Sequence, residues 1–395
     1  MSRKASGIPL RSWCQDPEDL AMEQAENLCR HPRAFHHIAL MPDCHPGYGM
    51  PIGGVAAFRN AIIPNAVGVD IGCGMGAAMS DFTGQPERKT LVKITETITS
   101  CIPAGFNRHK QDQKWEGFDS FLENLSGKPG WLGKDTLSIA RQSLGTLGGG
   151  NHFIEIQKDG EDRIWVMLHS GSRNLGKTIA EYHHRKALAE NRKDGIVLPS
   201  EDLAFFDTDS ARGMAYIRDM HFALNFAKEN RRRMMDIVKK ILGDTLGCSF
   251  LQEINIHHNY AAEENHFGCR VWVHRKGATS AQKGEKGIIP GSMGSPSYIV
   301  EGLGNPESFC SCSHGAGRVM GRNEACRKLD AAAVAASMKG IVHGGFPTMK
   351  KGNLRGKQDF GEAPGAYKDI DTVMAAQADL VKILVKLQPL AVVKG

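Results

Sequence analysis

Glycine punctuation constrains this chain more than any other feature of its sequence. The 45 glycines gather at 47–54, 68–76, 145–150, 171–176, 284–294, 302–304, 315–321 and 344–345 and form no low-complexity tract. Between them lie short apolar runs: Phe35–Met41, Ala66–Asp70, Phe153–Ile156, Ile164–Leu168, Arg270–His274, Tyr298–Leu303 and Ala391–Val393. Each reads as a strand that ends in a loop, the usual place for binding groups. Helical periodicity is confined to Asp19–Leu28, Asn174–Glu190, Ser210–Leu242 and Ile370–Leu387. In the third of these, Ala215, Met220, Ala223, Ala227 and Met234 form a buried stripe, and Arg231, Arg232 and Arg233 cross the solvated side. Strands and helices mix without regular alternation or internal repeat. The pattern predicts an α+β (complex α/β) fold with sheets packed among helices.

Length and charge leave much open. A chain of 395 residues can bury a large core, and no Ser/Pro/Gln-rich linker or long charge block divides it. One large unit is as compatible with this as two. Lys plus Arg number 49 against 43 for Asp plus Glu, a mild basic excess that tolerates a polyanionic ligand without requiring one. The amino terminus lacks the apolar core of a secretory signal, and no apolar run approaches the ~20 residues of a membrane span. The 10 cysteines have no small-scaffold disulfide rhythm and no C-x2-C pair, so reduced thiols in the cytoplasm are expected.

The segment Val67-Gly-Val-Asp-Ile-Gly-Cys-Gly-Met75 sets a carboxylate, Asp70, three residues before a thiol, Cys73, on a glycine-bent backbone. Downstream, His152, His169, His258 and His314 each sit beside Gly, Ser or Asn in a short polar motif. A thiolate, a carboxylate and several imidazoles make a ligand set for one or two divalent transition metals. Softness favours zinc; the oxygen ligand leaves manganese open. Ser313-His-Gly-Ala-Gly-Arg318 adds a histidine whose small neighbours let a large electrophile approach, with Arg318 able to fork onto phosphate. A helix starting near Gly315 would add an anion site. The residues alone leave His314 open as a covalent nucleophile, a metal ligand or a structural group.

Eight motifs in order resemble the RtcB family of RNA-splicing ligases. They are Asp-x-His-x-Gly-x-Gly from Asp43, Val-Gly-Val-Asp-Ile-Gly-Cys-Gly, Gly-Asn-His-Phe-Ile-Glu to Glu155 and His-Ser-Gly-Ser-Arg to Arg173. His-His-Asn-Tyr, Pro-Gly-Ser-Met-Gly, Ser-His-Gly-Ala-Gly-Arg and the terminal Val-Lys-Gly complete the set. The resemblance runs from about residue 35 to the last residue and implies a single catalytic domain over 1–395. It implies a GTP- and Mn²⁺-dependent ligase that joins RNA 3′-phosphate or 2′,3′-cyclic phosphate ends to 5′-hydroxyl ends, in tRNA splicing or RNA repair.

By that likeness Cys73 bridges two manganese ions, one also held by His169 and His258, the other by Asp70 and His152. His314 takes GMP from GTP, and Asp43 bonds its second ring nitrogen. Asn151 holds phosphate, Glu155 and Lys394 read the guanine edge, and Phe153 and Tyr367 lie against the base. Ser292 and the loop Gly315, Ala316, Gly317 and Arg318 line the nucleotide, and Arg173 meets the RNA terminal phosphate. Cys44, between Asp43 and His45, departs from the small apolar residue common there. His45 and His343 are expected to be structural. Two other readings use the same residues: a two-metal phosphodiesterase, which needs no nucleophilic histidine, and a non-catalytic RNA-binding protein with a structural metal.

Overall fold

The apolar runs pair into two main sheets in a computed structural model that describes residues 7–125, 127–349, 353 and 355–395. The first six residues, read above for a signal, lie outside that set. The larger sheet follows the path Lys286–Ile289, Ser297–Gly302, Val381–Lys394, Phe153–Lys158, Arg163–Ser170, Gly74–Thr83 and Phe250–His257. Every pairing on this path is antiparallel. Its two end strands touch, so the sheet nearly closes. The smaller sheet orders Leu10–Ser12, Ala34–His45, Ile52–Phe58, Cys269–Lys276 and Asn259–His266. The whole is a compact α+β unit, and none of its described helices is long and apolar enough to cross a membrane.

The strand Arg163–Ser170 shows why the larger sheet lies at the centre. Its Ile164, Val166 and Leu168 pack with Met234, Met235 and Val238 of the helix Ala211–Leu246. The alternate residues Trp165 and Met167 face Ile288, Ile299 and Leu387, on the far strands of the same curled sheet. Because side chains alternate across a strand, a run apolar at every position fits only a strand covered on both faces. The long helix starts at Ser210, whose hydroxyl accepts from the Gly213 N–H at 3.0 Å.

Three local expectations are corrected. Ala66–Asp70 is not a strand: Pro64–Val67 forms one helical turn, with proline at its first position. Nor is Ile370–Leu387 one helix. The helix covers Ile370–Ala375, capped by Asp369 accepting from Thr372 N–H at 2.7 Å, and Val381–Lys394 is a strand. Its register with Ser297–Gly302 and Phe153–Lys158 buries a sheet position and overrides helical periodicity.

The third correction is Arg231, which is fully buried and not on the solvated side. It falls in register with Ala227, Met234 and Val238, the stripe that meets the sheet. Its guanidinium donates to Gly72 O at 2.8 Å, Ser170 O at 2.9 Å and Asn255 Oδ1 at 2.8 Å, and meets His257 Nδ1 at 3.1 Å. Arg232 and Arg233 are the outward pair, both bonded to Glu229. Arg231→Met leaves several dry acceptors without a donor, at roughly 1–3 kcal/mol each with partial relaxation. We therefore expect unfolding stability to fall by about 3 kcal/mol. An unchanged urea midpoint would refute the clamp.

Candidate functional site

Antiparallel register delivers several strand ends to one place. Met75 pairs with His169, and His169 also pairs with Phe153. Phe153 pairs on its other side with Lys394, and Gly74 pairs with His257. Cys73, His152, His169, His258 and Lys394 thus emerge at one end of the larger sheet. His258 sits where the chain passes from Phe250–His257 into the smaller sheet. That sheet supplies Asp43 from Ala34–His45. The short pair Ala278–Ser280 with Ser311–Ser313 carries His314 just beyond its end.

The sulfur and imidazoles form a tight cluster. Cys73 Sγ lies 3.2 Å from His169 Nε2 and 3.5 Å from His152 Nε2. His169 Nε2 is 3.4 Å from His258 Nε2, and His152 Nε2 is 3.7 Å from Asp70 Oδ2. Backbone carbonyls fix the tautomers. His152 Nδ1 donates to Leu147 O at 2.9 Å and His169 Nδ1 to Asn151 O at 3.2 Å, so both Nε2 atoms present lone pairs. Burial and neighbouring imidazoles hold His169 and His258 well below the ordinary histidine range, and burial pushes the Cys73 thiol up. The Nε2 lone pairs of His152 and His169 therefore face the Cys73 sulfur, with at most one thiol proton among the three. A cation resolves this: ligands at ~2.1–2.3 Å from a shared ion sit about 3–3.6 Å apart. Buried Cys73, His152 and His169 can hold a metal ion. Asp70, beside His152, and His258, beside His169, extend the set. Asp70 Oδ1 is steadied by Ser172 N–H at 3.2 Å and Ser172 Oγ at 2.9 Å.

His314 stands beside this cluster, its ring 4.8 Å from that of His258. Its Nδ1 meets Asp43 Oδ2 at 2.6 Å and its backbone N–H reaches the same oxygen at 3.1 Å. Asp43 is fully buried, and its other carboxylate oxygen has no partner among the described residues. A proton on Nδ1 leaves the Nε2 lone pair free. Gly317 makes the approach possible: its φ is +74° and an added Cβ would lie 2.3 Å from Asp43 O.

Two cavities meet at His314. The first, about 740 Å³ including its open mouth, is lined by Asn151, Phe153, Glu155, Ser292, Gly315, Ala316, Gly317, Arg318, Tyr367 and Lys394. The second, about 1070 Å³ on the same measure, is lined by Asp70, Cys73, His152, His258, Asn259 and Lys276. His314, Asn151 and Ile52 line both. The nucleotide residues expected from the sequence thus share one wall, and the metal-ligand candidates lie between that wall and a second opening.

Some residues are placed differently from expectation. No helix begins at Gly315; the next one covers Arg322–Lys328. Arg318 spends its N–H groups on Met320 O, Glu362, Tyr367 and Gly361 O, and so builds the cavity wall. Arg173 lines neither cavity. It is held with a left-handed φ of +52°, bonded to Thr146 Oγ1 at 2.9 Å and Gly105 O at 2.8 Å. Gly148, at φ +94°, gives it room, since a Cβ there would lie 2.3 Å from Arg173 Nη1. His45, expected to be structural, lines the first cavity and bonds Asp43 O at 2.9 Å. His343 lies away from both cavities, accepting from Gly345 N–H at 3.0 Å.

Glu362 went unassigned in the sequence. It accepts from Arg322 Nε at 2.6 Å and Arg318 Nη1 at 3.2 Å, bonds the Tyr367 hydroxyl, and lies 3.8 Å from Lys394 Nζ. Its only sequence signal is its place at the head of the short polar segment Glu362-Ala-Pro-Gly-Ala-Tyr-Lys368. Cys44 fills space behind Asp43, its carbonyl accepting from Lys368 Nζ at 2.9 Å. Glu155 is buried, bonded to Gln157 Nε2 at 2.7 Å; burial raises it to about 8, against the pull of Lys394 and Gln157.

The family model described as tRNA-splicing ligase RtcB matches residues 24–395. The chain is 41% identical to an RNA-splicing ligase RtcB of Escherichia coli K12, over 98% of this chain and 97% of that protein. It is 30% identical to a tRNA-splicing ligase RtcB of Thermococcus kodakarensis, over 99% and 96% of the two chains. With an RNA-splicing ligase RtcB of Mycobacterium tuberculosis the identity is 31%, over 94% and 100%.

Proposed function

Since the chain belongs to the RtcB family of RNA ligases, we propose that it joins RNA 3′-phosphate ends to 5′-hydroxyl ends through a guanylylated His314. The observation that carries this reading is the position of His314: tethered through Nδ1 by Asp43, free at Nε2, and at the junction of two cavities. In the first step Nε2 attacks the α-phosphorus of GTP, an N–P bond forms, the bond to the β-phosphate breaks, and pyrophosphate leaves. The RNA 3′-phosphate then displaces His314 and acquires GMP. The 5′-hydroxyl of the second strand attacks the activated 3′-phosphate and expels GMP, which completes the phosphodiester. A 2′,3′-cyclic end must first be opened by water.

Asp70, Cys73, His152, His169 and His258 would hold two manganese ions, with Cys73 shared. Such ions supply charge neutralisation for phosphate oxygens when bound. Asp43 keeps the His314 tautomer and steadies the imidazolium formed when Nε2 bonds to phosphorus. Asn151, common to both cavities, donates to phosphate, and Arg173 takes the RNA terminal phosphate. Phe153 and Tyr367 flank the base. Lys394 and Glu155 read guanine, the carboxylate accepting from N1–H and the exocyclic amine that adenine does not present in that arrangement. Ser292 and the 315–318 loop close the nucleotide wall. A phosphodiesterase would need neither the Asp43–His314 pair nor a purine cavity beside it.

The test uses strands with defined ends. With GTP and Mn²⁺, 3′-phosphate and cyclic-phosphate strands should be joined to a 5′-hydroxyl partner and a 3′-hydroxyl strand should not. Joining of a 3′-hydroxyl to a 5′-phosphate, or joining without GTP, would refute the reading.

Glu155 adds a pH prediction. Burial raises its pKa, so the carboxyl is largely protonated below about 8. Only the ionised form accepts through both oxygens, so the KM for GTP should fall by up to about tenfold per unit as pH rises from 6 towards 8, then level. The sign for folding is opposite: this group's contribution to stability is full below its ordinary value of 4.5 and is lost as pH rises through about 8. Glu155→Gln should remove the slope in KM. A slope that persists in Glu155→Gln would assign it to another group.

A further inference from the structure

We infer that Phe106, with Arg108 and Lys110, forms a platform on which a base of the single-stranded RNA carrying the 3′-phosphate stacks as it enters the site; this rests on the RNA-joining function proposed above. Phe106 is fully exposed, at 101%, the most of any large apolar side chain among the described residues and the only fully exposed aromatic ring among them. It covers no core, so folding does not account for a phenylalanine there.

Nor does the residue sit on a loose loop. Gly105 N–H donates to Gly148 O at 2.7 Å, and Gly105 O accepts from Arg173 Nη2 at 2.8 Å. Asn107 N–H closes a turn onto Ala104 O at 3.1 Å, and His109 N–H donates to Gln142 O at 2.9 Å. Phe106 is therefore held one residue from the carbonyl that fixes Arg173, beside the 148–150 loop that leads into Asn151 and His152. A ring presented this way loses little freedom when a base settles on it.

Charge selects the occupant. Arg108, Lys110 and Lys114 are exposed on the same segment, and among the described residues none of them forms an ion pair. Burial lowers the pKa of Arg173 and the nearby charge of Arg108 lowers it further, which places the positive stretch against the proposed phosphate site. An exposed aromatic face beside unpaired cations, continuous with the arginine proposed for the terminal phosphate, matches the way single strands are bound: stacking that tolerates any base, with cations along the backbone. A docked protein helix would need a wider apolar surface than one ring.

The test is direct binding of a labelled 12-nucleotide RNA with a 3′-phosphate to the full chain, read by fluorescence anisotropy without GTP. Phe106→Ala should weaken binding about tenfold with an unchanged melting temperature, and Phe106→Trp should bind at least as tightly as the native protein. The double substitution Arg108→Ala, Lys110→Ala should flatten the dependence of log Kd on log salt by roughly one to two units. Binding by Phe106→Ala within twofold of native, or equal weakening by Phe106→Trp, overturns the inference. Because the measurement needs neither guanylylation nor joining, its outcome is separate from the fate of the proposed function.

Discussion

His314→Ala is expected to abolish protein-bound nucleotide when the chain is incubated with α-labelled GTP and Mn²⁺, and to reduce end joining by at least about four orders of magnitude, the scale seen when a covalent nucleophile is removed. The native label should be acid-labile and alkali-stable, as a phosphoramidate is. The fold should survive, because the ring is only partly enclosed and its two hydrogen bonds to Asp43 include one from the backbone N–H that alanine keeps. Asp43→Asn probes the same bond more finely. An asparagine amide can present a donor to Nδ1, which would put the proton on Nε2 and withdraw the nucleophilic lone pair. Labelling in that variant should be slow with GTP affinity little altered. Stoichiometric label on His314→Ala would remove the foundation of the proposed chemistry.

Cys73→Ala is expected to abolish guanylylation and sealing together and to strip bound manganese from the protein. The sulfur lies 3.2 Å from His169 Nε2 and 3.5 Å from His152 Nε2, one member of each proposed ligand group. Its loss therefore takes a ligand from both groups at once, whereas replacing His152 takes one from a single group. Metal content measured after gel filtration in Mn²⁺ reads this directly and is independent of activity. Because Cys73 is buried with lone pairs around it, its removal also relieves some crowding in the metal-free protein, so the apo fold should be no less stable. Sealing retained in Cys73→Ala, or full metal content, would refute the shared-ligand assignment. A large loss of apo stability with metal binding intact would favour a structural role.

Much of the site was legible in the chain because each motif is local. A thiol three residues from a carboxylate, histidines next to small or amide residues, and glycine at the ends of apolar runs require no tertiary information to identify. The strands at Phe153–Lys158 and Arg163–Ser170 were visible for the same reason: Ile164–Leu168 is an uninterrupted apolar run that fits a doubly covered strand, and Phe153–Ile156 is interrupted only by Glu155. The Ile370–Leu387 expectation failed because its apolar spacing satisfies a helix and a strand alike, and only the register with Phe153–Lys158 chooses between them.

By itself the sequence determined the ligand types, the order of the motifs and most of the elements that carry them, since these depend on neighbours along the chain. The tertiary structure decided which imidazoles share the sulfur, that Arg231 is the buried clamp behind them, and that Glu362 ties Arg318, Arg322 and Tyr367 into one wall. All but the Glu362–Tyr367 bond join residues tens to hundreds of positions apart. They exist only once antiparallel register brings the strand ends together, and burial there turns an arginine in an apolar stripe from a surface cation into a structural one.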